Sequence, residues 1–188
     1  MDIPKGYERM FALVTEVPKR NSNPALLEIG CGEHGHFVDY MRQQGWDTVG
    51  LDNREPLSQF VSRGDASKLR DVFGDKLFDL VLANQVLGYA PMTNDLIGVG
   101  RDEFAWIKAA LLCHAGPDIK KDLDNMVKDL IKKILGSTFQ QLSPDGLLIA
   151  CGSDAIFEQN YFTQSEAEAV GYHVIDFKPS EAVLQKPR

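Results

Sequence analysis

The sequence predicts an α/β fold built on a mostly parallel sheet, and three observations carry that expectation. Short apolar runs bounded by glycine or proline alternate with helix-like segments, with no repeat and no low-complexity tract, as in strands joined by crossover helices. The first such run, residues 25–30, is apolar apart from Glu28, the composition of a strand covered on both faces. Finally, "LLEIGCGEHGHF", residues 26–37, carries that strand through a glycine turn directly into a helix, an arrangement that turns backbone N–H groups and a helix N-terminus toward a ligand.

The elements follow in order. Residues 7–17 predict a first helix that stops before Pro18, since proline disfavours helical geometry in the residue ahead of it. After the glycine turn, Phe37, Tyr40 and Met41 fall at helical spacing and Gly45 closes that helix. "DTVGLDN" is the second strand and "QFVSRGD" a short third, and residues 78–83 within "KLFDLVLANQVL" are the fourth. The fifth occupies residues 147–151, after a β-turn at Ser143-Pro144-Asp145-Gly146. "YHVIDF" and "AVLQKP" form a closing pair around "KPSE".

Between the fourth and fifth strands the connection from Tyr89 to Gln141 is long enough for two helices. Phe104, Ile107 and Leu111 mark the first, ended by Gly116-Pro117. Leu123, Met126, Val127, Leu130, Ile134 and Leu135 mark the second. Lysines 120, 121, 128, 132 and 133 alternate with aspartates 122, 124 and 129, which reads as a solvated face and not as a basic patch.

A chain of 188 residues, 44% of them apolar and 25% charged, is expected to form one domain over residues 1–188. Its net charge of −7 argues against a nucleic-acid partner, which would need clustered Lys and Arg. Cys31, Cys113 and Cys151 are odd in number and lack C-x-x-C spacing, so neither a disulfide framework nor a metal site is expected. Residues 10–14 are the only apolar run near the N-terminus, too short for a signal core or a membrane span. A cytoplasmic protein, free of membrane, is the expectation.

The ligand of the glycine turn is the central question. Gly30, Gly32 and Gly35 satisfy G-x-G-x-x-G, which suits a dinucleotide pyrophosphate, but a ligand without phosphate fits the same backbone. Three features bear on the choice. Glu28 stands two residues before Gly30 at the carboxyl end of its strand; there it repels a pyrophosphate and attracts a cationic group. Asp52, about twenty residues past the glycines and at the end of the second strand, suits a ribose diol in either ligand. Asp65, in Gly64-Asp65-Ala66 after the short third strand, is placed to accept a hydrogen bond from an adenine amino group.

With these motifs in place, the chain resembles the class I S-adenosylmethionine-dependent methyltransferases over nearly its whole length. "LLEIGCGEHG", "VGLDN", "GDAS", "FDLVLANQVL" and "LSPDGLLI" look like five of that family's motifs in their usual order. The resemblance implies a Rossmann-like seven-stranded, mostly parallel sheet with an antiparallel last strand and helices on both faces. It also implies S-adenosyl-L-methionine as cofactor. Glu28 and the turn Gly30, Cys31, Gly32 and Gly35 would hold its amino-acid end, Asp52 and Asn53 the ribose, and Asp65 and Ala66 the adenine, with Asn84 beside the methionine part. One departure is plain. Twelve residues separate Asp52 from Asp65, so the second crossover is cut to a turn near "EPLSQF", leaving the ribose and adenine side less covered, or covered by a protein partner.

Other roles stand beside these. Asp52 and Asp65 could cap the segments that follow them, and Asp79 is expected to pair with the glycine-loop region. Cys31 reads as a small turn residue, and His34 and His36 as surface or cofactor-packing groups at a helix start. "NQVLGYA" lacks the N-P-P-aromatic stretch of relatives that methylate amide or exocyclic base nitrogens, so the expected acceptor is a small molecule methylated at oxygen or nitrogen. Tyr89 and His114 are the candidates for touching it, flanking the helix near residues 102–114 of an insertion, residues 89–122, expected to act as a lid. A cofactor-binding scaffold without catalysis and a nicotinamide-dependent oxidoreductase are the competing readings.

Overall fold

The computed structural model describes residues 3, 7–16, 23–84, 117–151, 162–178 and 181–188. Helix α1 (Glu8–Glu16) leads to strand β1 (Ala25–Ile29), helix α2 (His36–Gln43), strand β2 (Asp47–Asp52) and the short strand β3 (Val61–Arg63). A 3-10 turn (Ala66–Lys68), helix α3 (Leu69–Phe73) and strand β4 (Phe78–Asn84) follow. Helix α4 (Pro117–Gln141) then runs into strand β5 (Leu142–Cys151), and helix α5 (Gln164–Val170) precedes strands β6 (His173–Lys178) and β7 (Glu181–Gln185). The strands form one sheet in the order β3-β2-β1-β4-β5-β7-β6. β7 runs antiparallel to both its neighbours, and the other pairings are parallel. The seven-stranded sheet with one antiparallel last strand is thus as the sequence predicts.

Alternation along the strands divides the core into two layers, because successive side chains point to opposite faces. Leu26, Leu80, Leu82 and Ile149 face α1 and α2, where Met10, Val14, Phe37 and Met41 cover them. Leu27, Ile29, Val81 and Leu148 face the other side, against Leu69 of α3, Ile131, Ile134 and Leu135 of α4 and Ala167 of α5. The buried stripe of α4 includes Ile131 beside the expected Ile134 and Leu135, while Lys132 and Lys133 are exposed. α5 is started by a capping box: Thr163 and Glu166 satisfy each other's backbone N–H groups.

Two details differ from or refine the expectations. Asp79 is structural, but it does not pair with the glycine-loop region. Its carboxylate accepts from Ala25 N–H (2.9 Å) and the Ser143 hydroxyl (3.1 Å). β4 is parallel to β1, so a residue at the start of β4 meets the start of β1, at the opposite end from the glycine turn. The expected turn at residues 143–146 lies within β5 as a break in its pairing: Phe78 pairs with Leu142 and the next pair is Leu80 with Leu147. Asp145 there takes a positive φ of 62°.

The second crossover is short, as expected. β3 pairs only with Gly50, Leu51 and Asp52, so the chain doubles back by about three residues, roughly 10 Å, and residues 53–60 achieve this without a helix. Leu57 N–H donates to Glu33 carbonyl (2.9 Å) and Gly50 N–H to Phe60 carbonyl (2.8 Å), which pins the loop beside the glycine turn. No helix among the described residues is long and apolar enough to cross a membrane.

Candidate cofactor site at the glycine turn

Sheet register gathers the candidate residues at one edge. Ile29 pairs with Leu51 on one side and Ala83 on the other. Gly30, Asp52 and Asn84 therefore each follow that row by one residue, at the carboxyl ends of three adjacent parallel strands, the usual ligand crevice of an open α/β sheet. Cys151 pairs with Asn84, and Glu181 with Cys151, which extends the row to β7.

The turn itself needs its glycines for stated reasons. Gly30, Gly32 and Gly35 all have positive φ, at 73°, 76° and 59°, where a side chain is strained. A Cβ on Gly35 would also lie 2.6 Å from Val61 Cγ2. Gly30 N–H donates to Leu51 carbonyl (2.7 Å), tying the turn to β2. The Cys31 side chain packs inward, where a Cβ on Gly50 would come within 2.4 Å of its Sγ. Burial drives the Cys31 thiol far above its ordinary range, and the nearby Glu28 and Asp52 carboxylates add to this. It is a packing residue of the turn, not a nucleophile.

Glu28 is the electrostatic centre of the site. It is fully buried on the α1/α2 face of the sheet. Neither carboxylate oxygen makes a well-formed hydrogen bond. Burial pushes its carboxyl up to about 8; the Tyr7 hydroxyl works against this through a looser contact, and Asp52 adds to it. A buried carboxyl without full partners costs free energy, and such groups gather at functional sites. Tyr7 stacks on Phe37 of α2 (centroids 4.6 Å apart), so the N-terminal segment reaches the glycine turn. No local pattern in the sequence marks Tyr7, because tertiary packing brings it there.

Asp52 is well supplied with donors. Gly32 N–H (2.8 Å) and Arg54 Nη2 (3.3 Å) reach Oδ2, and Arg54 N–H (3.0 Å) and Nε (2.8 Å) reach Oδ1. Burial acts to raise the Asp52 carboxyl, but the Arg54 side-chain and backbone hydrogen bonds and the Gly32 N–H outweigh it, so it is held below the usual carboxylate range. Arg54 was not singled out from sequence, although a cation two residues after a strand-end acid was the available signal.

The remaining residues are less tightly gathered. Asp65 is exposed and caps the 3-10 turn, accepting from Ser67 N–H and Oγ (both 2.8 Å), the capping role raised beside the adenine contact. Ala66 packs at the edge of the core, and Asn53 is exposed in the loop after β2. His34 and His36 are exposed and stacked, with centroids 5.2 Å apart. Tyr89, His114 and all of the expected lid before Pro117 lie outside the described residues. Among the described residues, no cluster of His, Cys, Asp and Glu is arranged to hold a metal.

Comparison with known proteins bears on the family and the fold. A family model described as "Methyltransferase domain" matches residues 4–169. Among solved structures, a TehB-like SAM-dependent methyltransferase from Corynebacterium glutamicum is 17% identical. It is aligned over 94% of this chain and 85% of its own, with a TM-score of 0.56. The N-methyltransferase NodS from Bradyrhizobium japonicum, in complex with S-adenosyl-L-homocysteine, is 13% identical over 100% of this chain and 90% of its own, with a TM-score of 0.55. The [4+2]-cyclase SpnF is 16% identical over 90% of this chain and 58% of its own, with a TM-score of 0.54. At these identities the likeness is one of fold. No curated protein matches the chain.

Proposed function

The chain belongs to the methyltransferase-domain family, and from that premise we propose that it is an S-adenosylmethionine-dependent methyltransferase acting on an oxygen or nitrogen atom of a small-molecule acceptor. The observation that carries the reading is the buried Glu28 carboxyl, whose oxygens lack well-formed hydrogen bonds at the glycine turn. A cationic amino-acid group beside it draws the carboxyl into its ionised form and pairs with it; a pyrophosphate in the same turn opposes that ionisation and leaves the buried group without a counter-charge. That is the physical case against a nicotinamide dinucleotide.

The residues present fit the cofactor as follows. Glu28 and the backbone of Gly30, Cys31, Gly32 and Gly35 hold the amino-acid end, where bare α-carbons allow close approach. Asp52, with Asn53, takes the ribose, Asp65 and Ala66 the adenine, and Asn84 lies beside the methionine part. When bound, the cofactor supplies a methyl group on a sulfonium, already activated for in-line displacement. The protein then has to align the acceptor and exclude water. The carboxyl ends of β4 and β5 are the natural place for that acceptor. Cys31 and Cys151 are free thiols, which suits a reducing, cytoplasmic setting.

A cofactor-binding subunit without catalysis is the second reading. It is favoured by the short second crossover and by Arg54 on the Asp52 carboxylate. Incubation with methyl-labelled S-adenosylmethionine and a small-molecule extract separates the two. Label in a low-molecular-weight product supports transfer; cofactor binding without any labelled product supports the second reading.

A further inference from the structure

The Asp52 carboxylate is saturated. An ionised carboxylate offers about four lone-pair positions, and four donors take them, two from the backbone of Gly32 and Arg54 and two from the Arg54 guanidinium. A ribose diol arriving at Asp52 brings two hydroxyl donors and so needs two of these positions. The backbone donors belong to the glycine turn and to the loop after β2 and leave only if those segments rebuild. The guanidinium is different: the Arg54 side chain is 38% exposed, so it can exchange Asp52 for water.

Two further observations place the guanidinium in a ligand's way. Its Nη2 lies 3.2 Å from the position of a Cβ on Gly32, across the bare α-carbon that permits close approach. A second acid is also within electrostatic reach, since Glu33 raises the Arg54 pKa alongside Asp52. The Glu33 side chain is 41% exposed, and the loop carrying Arg54 is fastened to the Glu33 carbonyl through Leu57 N–H. A displaced guanidinium therefore stays near a carboxylate.

We propose that Arg54 sets the affinity and entry of the nucleoside cofactor: it holds the ribose-binding positions of Asp52 in the ligand-free protein and swings away when the diol binds. The proposal rests on the methyltransferase reading. Cofactor binding then carries the cost of breaking a partly exposed bidentate ion pair, and that cost falls as salt screens the pair. Removing the guanidinium removes the cost and its salt dependence.

The test is calorimetric titration of the full chain with S-adenosylhomocysteine at low and high ionic strength, using wild type, Arg54→Met and Arg54→Lys, each checked for an unchanged thermal transition. Arg54→Met should bind about five- to ten-fold more tightly than wild type at low salt, the scale of one such ion pair. Arg54→Lys, which keeps the charge but not the fork, should fall between them and covers the case of a misfolded methionine variant. Wild-type affinity should rise with salt and that of Arg54→Met should not. Equal or weaker binding by folded Arg54→Met overturns the proposal while leaving the cofactor reading intact. Absence of binding by every folded protein overturns the cofactor reading, and the proposal with it.

Discussion

Replacing Glu28 by glutamine should make the protein more stable in a pH-dependent way. Burial raises the Glu28 carboxyl from its ordinary value of 4.5 to about 8, so between those values the folded protein keeps a proton that the unfolded chain has lost. Stability from this group is fully present below pH 4.5 and declines as pH rises through 8, because proton binding favours the folded state. Each pH unit in the window is worth about 1.4 kcal/mol, so the loss approaches about 5 kcal/mol by pH 8, an upper bound against a total of about 5–15 kcal/mol for a domain. Glutamine has the same shape and cannot ionise. Urea unfolding of both proteins from pH 4.5 to 8.5 should give similar stabilities at the acid end and a growing advantage for Glu28→Gln toward pH 8. Parallel pH profiles would refute the reasoning, since they would mean that Glu28 titrates alike in the folded and unfolded chains.

The same carboxyl makes cofactor binding depend on pH. A cationic ligand beside Glu28 favours the ionised form, so affinity for S-adenosylhomocysteine should rise by up to about ten-fold per pH unit between pH 6 and 8, with a proton released on binding that calorimetry in two buffers detects; Glu28→Gln should bind more weakly and with little slope. Asp52→Ala should weaken binding by about 1.5–3 kcal/mol, the usual worth of hydrogen bonds to a charged group, and unchanged affinity would assign Asp52 to fastening the turn alone. Gly35→Ala should destabilise the fold by about 1–3 kcal/mol, because its φ is positive and its Cβ would lie 2.6 Å from Val61 Cγ2; a thermal transition at the wild-type temperature would contradict that.

The parts of the fold governed by local chemistry were legible in the sequence. Residues 25–30 and 78–83 read as covered strands because each run is apolar apart from one acid, Glu28 and Asp79, and the glycine turn read correctly because positive φ at Gly30, Gly32 and Gly35 leaves few alternatives. What was missed depended on neighbours far along the chain. Helix α5 buries only Ala167, so it has no apolar stripe to see, although Thr163 and Glu166 had the spacing of a capping box. Asp79 was assigned to the wrong end of the sheet; the parallel pairing of β4 with β1 places it by Ala25. The Tyr7 contact with Glu28 joins the N-terminal segment to β1, and the saturation of Asp52 by Arg54 appears only when every donor is counted on the folded chain.

The central claim is that the glycine turn receives an adenosyl amino acid and not a dinucleotide, and one titration tests it most directly. Purified protein is titrated in a calorimeter with S-adenosylhomocysteine and, separately, with NADH, and Glu28→Gln is run beside wild type. Saturable one-to-one binding of S-adenosylhomocysteine, weakened in Glu28→Gln, with no heat from NADH, is the predicted result. Binding of NADH in preference to S-adenosylhomocysteine would contradict the account.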